Sequence, residues 1–374
     1  MALVRSAHRT CLFARDALFR RAWIHSRALT LLPSAGLALL KARGIPVHAH
    51  KVVDRVDTVV EVTSTYKPPF IVEAELCTED HTTGSFSSGL SRTRHVAANI
   101  PELENFANQM ILRTFRGPTT RFGQVCRRVM VSEKISRKRE RTVSIFVDQE
   151  TLKPSIFLQK ATNGLISSMK LLWKAVRSSN SEKQRKEDTG EWQTTVPFDT
   201  KDGLSQDDAR SLAQELSLPD DQMDAGTRIL MILCQVWSAL DGSRFNINLA
   251  TTKDDSGQVE LCCTKAQMSF DPSAIKRQPE LAAIFSTPEQ ESQIDPRSAQ
   301  AYKVGMVYQK LDGDIACFGC SAVDATATSD VIIANGGKPA NFLDANGQVT
   351  AENVALGLRI IRGDKQVNAI FINW

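Results

Sequence analysis

A chain of 374 residues, 24% charged and 42% hydrophobic, has the balance of a soluble globular protein and the length for two cored domains after a targeting segment. No stretch is apolar enough to cross a bilayer, since the Leu31–Leu40 run is short and broken by Pro33, Ser34 and Gly36. The 8 cysteines follow no repeating pattern, which argues against a disulfide framework, and all 6 histidines lie at or before His95, which excludes His-based acid, base or metal chemistry from residue 96 onward.

The net charge of +4 is modest and much of it sits at the N-terminus. Arg5, Arg9, Arg15, Arg20, Arg21 and Arg27 stand against one acid, Asp16, among interspersed Leu and Phe. That composition resembles a mitochondrial transit peptide, and residues 1–33 are assigned to it. Ala35–Val47 reads as a short amphipathic helix closed by Gly44 and followed by Pro46. Val52–Val62 and Phe70–Leu76 read as strands, and Pro101–Leu112 as a helix with Asn99 as its cap. Gln124–Ser132 and Thr142–Val147 are further strands, joined by the basic run Lys134–Arg141, which is taken as a solvated turn in preference to a nucleic-acid patch.

Met169–Val176 is helical and Arg177–Gly190, polar and aperiodic, is a surface loop. Ser205–Leu218 is a helix with Ser205 and Asp208 placed as a capping box, and Thr227–Leu240 is a strongly apolar helix. Arg244–Asn248 and Val259–Met268 form a hairpin through Asp254–Gly257. Strand Ile315–Phe318, helix Ala325–Ile333 stopped by Gly336-Gly337, strand Pro339–Leu343, helix Thr350–Ile360 and strand Val367–Asn373 make a β-α-β-α-β run. Such a run predicts a parallel sheet wound on both faces.

The wording of that last region is more specific than its periodicity. LDGDIAC, GGKPANFLD and VNAIFIN, in this order, resemble the β subunit of succinyl-CoA ligase, whose family reads LDGxIGC, GGxPANFLD and ILVNIFGG. The resemblance extends from about Ala35 to Trp374. It implies an α/β protein with an ATP-grasp-like domain over 34–271 and a flavodoxin-like, parallel-sheet CoA-ligase domain, truncated relative to the family, over 272–374.

The same comparison locates the family's functional positions, and most of them have changed. The family's nucleotide loop KAQVLAGGRGKGTFDSGL corresponds to EAELCTEDHTTGSFSSGL, so its Lys is Glu73, its Gly pair Glu79-Asp80, its Arg His81 and its Gly-Lys pair Thr82-Thr83, with Gly84 kept. Wrapping phosphates requires glycines and positive charge, and carboxylates repel them, so a solvated acidic loop is expected instead. Of the metal ligands, Asn248 is kept, the Glu two residues before it is Asn246, and the Asp falls at Lys265, or at Thr264 if the hairpin register slips. Magnesium wants hard oxygen ligands, which Lys265 cannot supply. The glycine turn that would receive a phosphohistidine loop has lost its glycines and gained Asp324.

Cys317 and Cys320 form a C-x-x-C at a strand-to-helix junction, read as a packed strand end in preference to a redox pair, and no zinc set, P-loop or Rossmann fingerprint is present. With the sites changed together, catalysis is not expected. No catalytic residue, cofactor or metal is assigned. The expectation is a pseudoenzyme serving as a structural subunit on the matrix side of the mitochondrion, in a respiratory complex, an ATP synthase or a mitoribosome. The competing expectation is an active or regulatory β subunit, using ATP or GTP and Mg, paired with an α subunit. A third, an RNA-contacting ribosomal subunit, is motivated by Lys134–Arg141 and Arg113–Arg128.

Overall fold

The computed structural model describes residues 29–374 except 79–82, 118–122, 136–139, 149–150, 161–192, 217, 219, 254–258, 272–273, 276 and 348. The chain divides into two compact units, the first running to Phe285 and the second spanning Ser286–Trp374.

The first unit opens with β1 (Leu29–Thr30), α1 (Pro33–Ala42), β2 (His50–Val53), α2 (Val59–Val62), β3 (Phe70–Ala74), β4 (Ser85–Phe86), β5 (Arg94–Ala97) and α3 (Ile100–Met110). There follow β6 (Thr114–Arg116), β7 (Gln124–Val125), β8 (Val129–Glu133), β9 (Glu140–Val147), β10 (Pro154–Lys160) and β11 (Gln193–Pro197). Helices α4 (Gln206–Glu215) and α5 (Met223–Ala239), the long hairpin β12 (Gly242–Lys253) and β13 (Val259–Phe270), and α6 (Pro279–Phe285) complete it.

Three antiparallel sheets result, in the orders β1-β13-β12-β9-β10-β11, β2-β8-β3-β5 and β4-β6-β7. Period-two alternation decides which face is core: Val143, Ile145, Ile156, Leu158, Phe245 and Ile247 point into one cluster with Leu37 and Leu40 of α1 and Leu230 and Leu233 of α5. Helix α5 is apolar at Ile229, Leu230, Leu233, Val236 and Trp237, the spacing of one buried helical face. A second cluster unites β3 and β8 with α2 and α3 through Phe70, Val72, Val129, Val131, Val59, Val62, Leu103 and Met110. Helix α1 lies close against β13 because position 36 is glycine; a Cβ there would sit 2.8 Å from the Ala266 carbonyl oxygen.

The second unit contains α7 (Pro288–Glu291), α8 (Pro296–Lys303), β14 (Val307–Lys310), β15 (Ile315–Gly319), α9 (Ala322–Ala334), β16 (Asn341–Asp344), α10 (Ala351–Arg362) and β17 (Ala369–Asn373). Its sheet order is β14-β16-β15-β17, with β15 parallel to β16 and β17. The expected β-α-β-α-β run is parallel throughout, and β14, which precedes it, adds a strand antiparallel to β16. Short α8 reverses through Gly305, at φ +78°, and returns the chain beside β16 without the long crossover that a parallel neighbour requires. Arg297 ties this corner together, bonding Asp295 and, at 2.8 Å, the buried Asp364 that Lys310 also reaches.

Other boundaries differ from the sequence reading. The strand expected over Val52–Val62 is a strand to Val53, a turn holding the Arg55–Asp57 ion pair, and helix α2, whose Val59 and Val62 are buried at a spacing of one helical turn. Gln124–Ser132 is two strands in two sheets, separated at Cys126–Arg128. The expected helix Met169–Val176, the loop Arg177–Gly190, the hairpin turn at 254–257 and residues 1–28 of the presequence lie outside the described residues. Residues 29–32, assigned to that presequence, are folded: β1 pairs with the end of β13, and Leu31 and Leu32 are buried.

Candidate functional site

The positions singled out in sequence converge because β3, β5, β9, β12 and β13 present side chains toward one another. Glu73, next to last in β3, is 1% exposed. It is therefore not part of a solvated acidic loop, as the sequence suggested. Its Oε1 lies 2.7 Å from the Lys265 ammonium on β13. Arg94 of β5 stands 3.7 Å from Glu73 and 3.6 Å from Glu140 of β9, joining the two carboxylates.

Lys265 is the register partner of Asn248, and a bulge beside them accommodates Thr264. Asn248 donates to Glu140 at 2.9 Å through Nδ2 and accepts from Thr142 at 3.3 Å. Thr264 donates to Glu140 at 3.1 Å. Burial opposes ionisation of Glu140, but Arg94 and the donors Asn248 and Thr264 outweigh it and hold its carboxyl below the usual range. Asn246 accepts from Ser144 at 2.7 Å.

These residues do not form a magnesium site. An ammonium stands where a hard anionic ligand is needed, and the oxygens of Asn246 and Asn248 are engaged with neighbouring hydroxyls. Among the described residues no group of three His, Cys, Asp or Glu is placed to hold a metal ion. What the arrangement can do is neutralise itself: two carboxylates, one ammonium and one guanidinium close a charge-balanced network inside the sheet layers.

Glu79, Asp80, His81 and Thr82 lie outside the described residues, while Thr83 is an exposed turn. Gly84 serves packing: a Cβ would fall 2.1 Å from the Phe115 ring. Near the loop's start, Glu75 is buried and accepts from Ser34 through the amide at 3.0 Å and the hydroxyl at 2.5 Å, with Arg128 at 3.8 Å. Burial is the largest influence and pushes the Glu75 carboxyl up to about 7 despite those donors.

In the second unit the N-terminus of α9 is capped from within. Ser321 accepts from the Asp324 amide at 3.3 Å, and the Asp324 carboxylate accepts from the Ser321 amide at 3.1 Å. The end of a helix dipole that would draw an incoming anion already holds a carboxylate of its own chain. Cys317 is buried beside Ser329, and burial raises its thiol, the opposite of what a reactive thiolate needs.

Sequence reasoning found Glu73, Asn248, Lys265 and, as the alternative to Lys265, Thr264, but missed Arg94 and Glu140. It also treated Glu73 and Lys265 as separate losses. Against the family pattern they are an exchange of sign, Lys to Glu on one strand and Asp to Lys on another, and such an exchange is the sequence signal of a contact.

No family model matches the chain. It is 28% identical over 304 residues to the Saccharomyces cerevisiae protein named succinate–CoA ligase [ADP-forming] subunit beta, mitochondrial, covering 81% of this chain and 66% of that one. The corresponding Neurospora crassa protein is 28% identical, covering 81% and 63%. The Brevibacillus brevis subunit of the same name is 28% identical, covering 90% and 80%. The chain thus spans about two thirds of the length of the mitochondrial relatives it matches. Among solved structures, ATP citrate lyase from Methanosaeta concilii with (3S)-citryl-CoA superposes with a TM-score of 0.59 at 13% identity, covering 93% of this chain and 80% of that one. The Methanothrix soehngenii enzyme with citrate and coenzyme A gives the same values. That likeness shows the fold, an ATP-grasp-type ligase architecture.

Proposed function

Because the chain belongs to the succinyl-CoA ligase β-subunit family, we infer that it is a non-catalytic member, a pseudoenzyme acting as a structural subunit of a mitochondrial multi-subunit assembly. The observation that carries this reading is the Glu73–Lys265 pair at 2.7 Å: the charge that would face phosphate and the charge that would face metal have been exchanged, and they satisfy each other. A nucleotide would have to displace a buried ion pair and meet a carboxylate. The self-capped N-terminus of α9 is a second, separate anion position filled by a side chain of the same protein.

A partner is supported by β17. Its Ile370, Phe371, Ile372 and the following Trp374 are 38%, 48%, 39% and 57% exposed, an uncharged apolar edge of the kind that associates. Mitochondrial placement is supported by the Arg-rich start and by the mitochondrial relatives in yeast and Neurospora. No helix among the described residues is long and apolar enough to cross a membrane. The alternative, an active β subunit using ATP or GTP and Mg beside an α subunit, is favoured by the ADP-forming relatives alone.

Affinity purification of the tagged protein from mitochondria tests the choice. Co-elution in a large particle lacking a succinyl-CoA ligase α subunit supports the structural role. Recovery as a small complex with such a subunit, showing nucleotide-dependent CoA ligation, overturns it.

A further inference from the structure

The described residues from Thr83 to Ser132 carry six arginines, Arg92, Arg94, Arg113, Arg116, Arg127 and Arg128, against two acids, Glu102 and Glu104. Arg94 and Arg128 turn toward Glu73, Glu140 and Glu75. Arg92, Arg113, Arg116 and Arg127 are exposed, and among the described residues no carboxylate pairs with them.

Backbone pairing gathers these four around the small β4-β6-β7 sheet. The Arg92 amide bonds the Gly84 carbonyl, and the next residue, Ser85, is the register partner of Arg116. Arg116 also lies over Gly123, which leads into β7. At the other end of β6, the Arg113 carbonyl accepts from the Cys126 amide, which puts Arg127 one residue away. With strands about 4.8 Å apart and residues rising about 3.3 Å each, the backbone positions of the four arginines fall within a span on the order of 10–15 Å. Glu102 is in the first turn of α3, its carboxylate held by the Ala98 amide at 2.8 Å, whereas Arg113 follows the last turn of the same helix, roughly 15 Å along its axis.

The residue types select the partner. Guanidinium forks match phosphate oxygens two at a time, and the exposed Ser85 and Ser87 beside them add hydroxyl donors. Among the described residues of the same sheet the aromatic side chains, Phe86 and Phe115, pack on each other at 5.0 Å in the core and offer no platform for splayed bases. This combination suits the phosphate backbone of paired RNA, recognised by shape. An anionic membrane would call for an apolar face to insert, and among the described residues of this rim Leu112 is the one large apolar side chain more than half exposed.

We propose that the rim of the β4-β6-β7 sheet, formed by Arg92, Arg113, Arg116 and Arg127, binds the phosphate backbone of a folded RNA. The inference does not depend on loss of ligase chemistry. Within the structural reading it points to a ribonucleoprotein.

Anisotropy titration of a fluorescein-labelled RNA hairpin with the full chain, from about 50 to 200 mM salt, tests it. The wild type is expected to bind with affinity falling steeply with salt. Arg113→Gln with Arg116→Gln should weaken binding about tenfold or more and reduce the log–log salt slope by about 1–2, with the melting temperature unchanged. Arg92→Gln with Arg127→Gln, both outside the strands, should do the same, so misfolding of one variant does not decide the matter. Absence of hairpin binding overturns the proposal. So does binding indifferent to both arginine pairs, as expected if the basic N-terminal segment alone attracts RNA. Equal or tighter binding to phosphatidylserine-containing vesicles, or full competition by polyglutamate, also overturns it.

Discussion

At the scale of single residues, the account rests on charges that answer one another. Replacing Lys265 by Met removes the ammonium 2.7 Å from buried Glu73, with Arg94 farther off at 3.7 Å, and should destabilise the fold by about 3–5 kcal/mol in urea melts. Adding Glu73→Leu to Lys265→Met should recover most of that loss, because a well-packed apolar pair is about as stable as a buried ion pair. A double-mutant cycle showing no coupling between the two would mean the contact is incidental. Glu75 gives a pH signature. Its folded-state carboxyl is raised to about 7 from an ordinary value of 4.5, so the folded protein binds that proton more tightly than the unfolded chain does. Stability from this group is therefore full below about pH 4.5 and is lost as pH rises through 7, by on the order of 3 kcal/mol. Glu75→Gln should flatten the fall in melting temperature between pH 5 and about 8; an unchanged slope would show that Glu75 stays charged throughout.

At the scale of elements, β1 sets a limit on processing. It pairs with β13, and Leu31 enters the main core with 1% exposure, so Leu31→Ala should cost about 2–5 kcal/mol. If the chain is imported and cleaved, the mature N-terminus found by mass spectrometry should lie before Leu29; one at Ser34 would contradict the role given to β1. Ser321→Ala should cost about 1 kcal/mol by removing the cap of α9. Helix caps were legible in the sequence at Asn99 and Ser205 because a cap involves residues three apart. The split of Gln124–Ser132 between two sheets and the antiparallel β14 were not legible, because partner strands are chosen over long sequence distances. The site divides the same way: family wording located Glu73, Asn248 and Lys265, but Arg94 and Glu140 join them only through the pairing of β3 with β5 and of β9 with β12.

At the scale of the whole molecule, the first unit has the ATP-grasp-type architecture and the second a sheet with three parallel strands, while Glu73 pairs with Lys265 and the N-terminus of α9 is capped by Ser321 and Asp324. The fold survives such changes because Gly84, Asn341 and their like serve packing and backbone bonding: Asn341 clamps both the amide and the carbonyl of Cys317 across two strands. Neither role depends on a nucleotide. The measurement that bears most directly on this account is isothermal titration calorimetry of the full chain with Mg-ADP and Mg-ATP. The closed Glu73–Lys265–Arg94–Glu140 network predicts no saturable heat up to millimolar nucleotide. Saturable binding in the micromolar range, abolished by Mg removal, would show that the network opens to admit substrate and would contradict the non-catalytic reading.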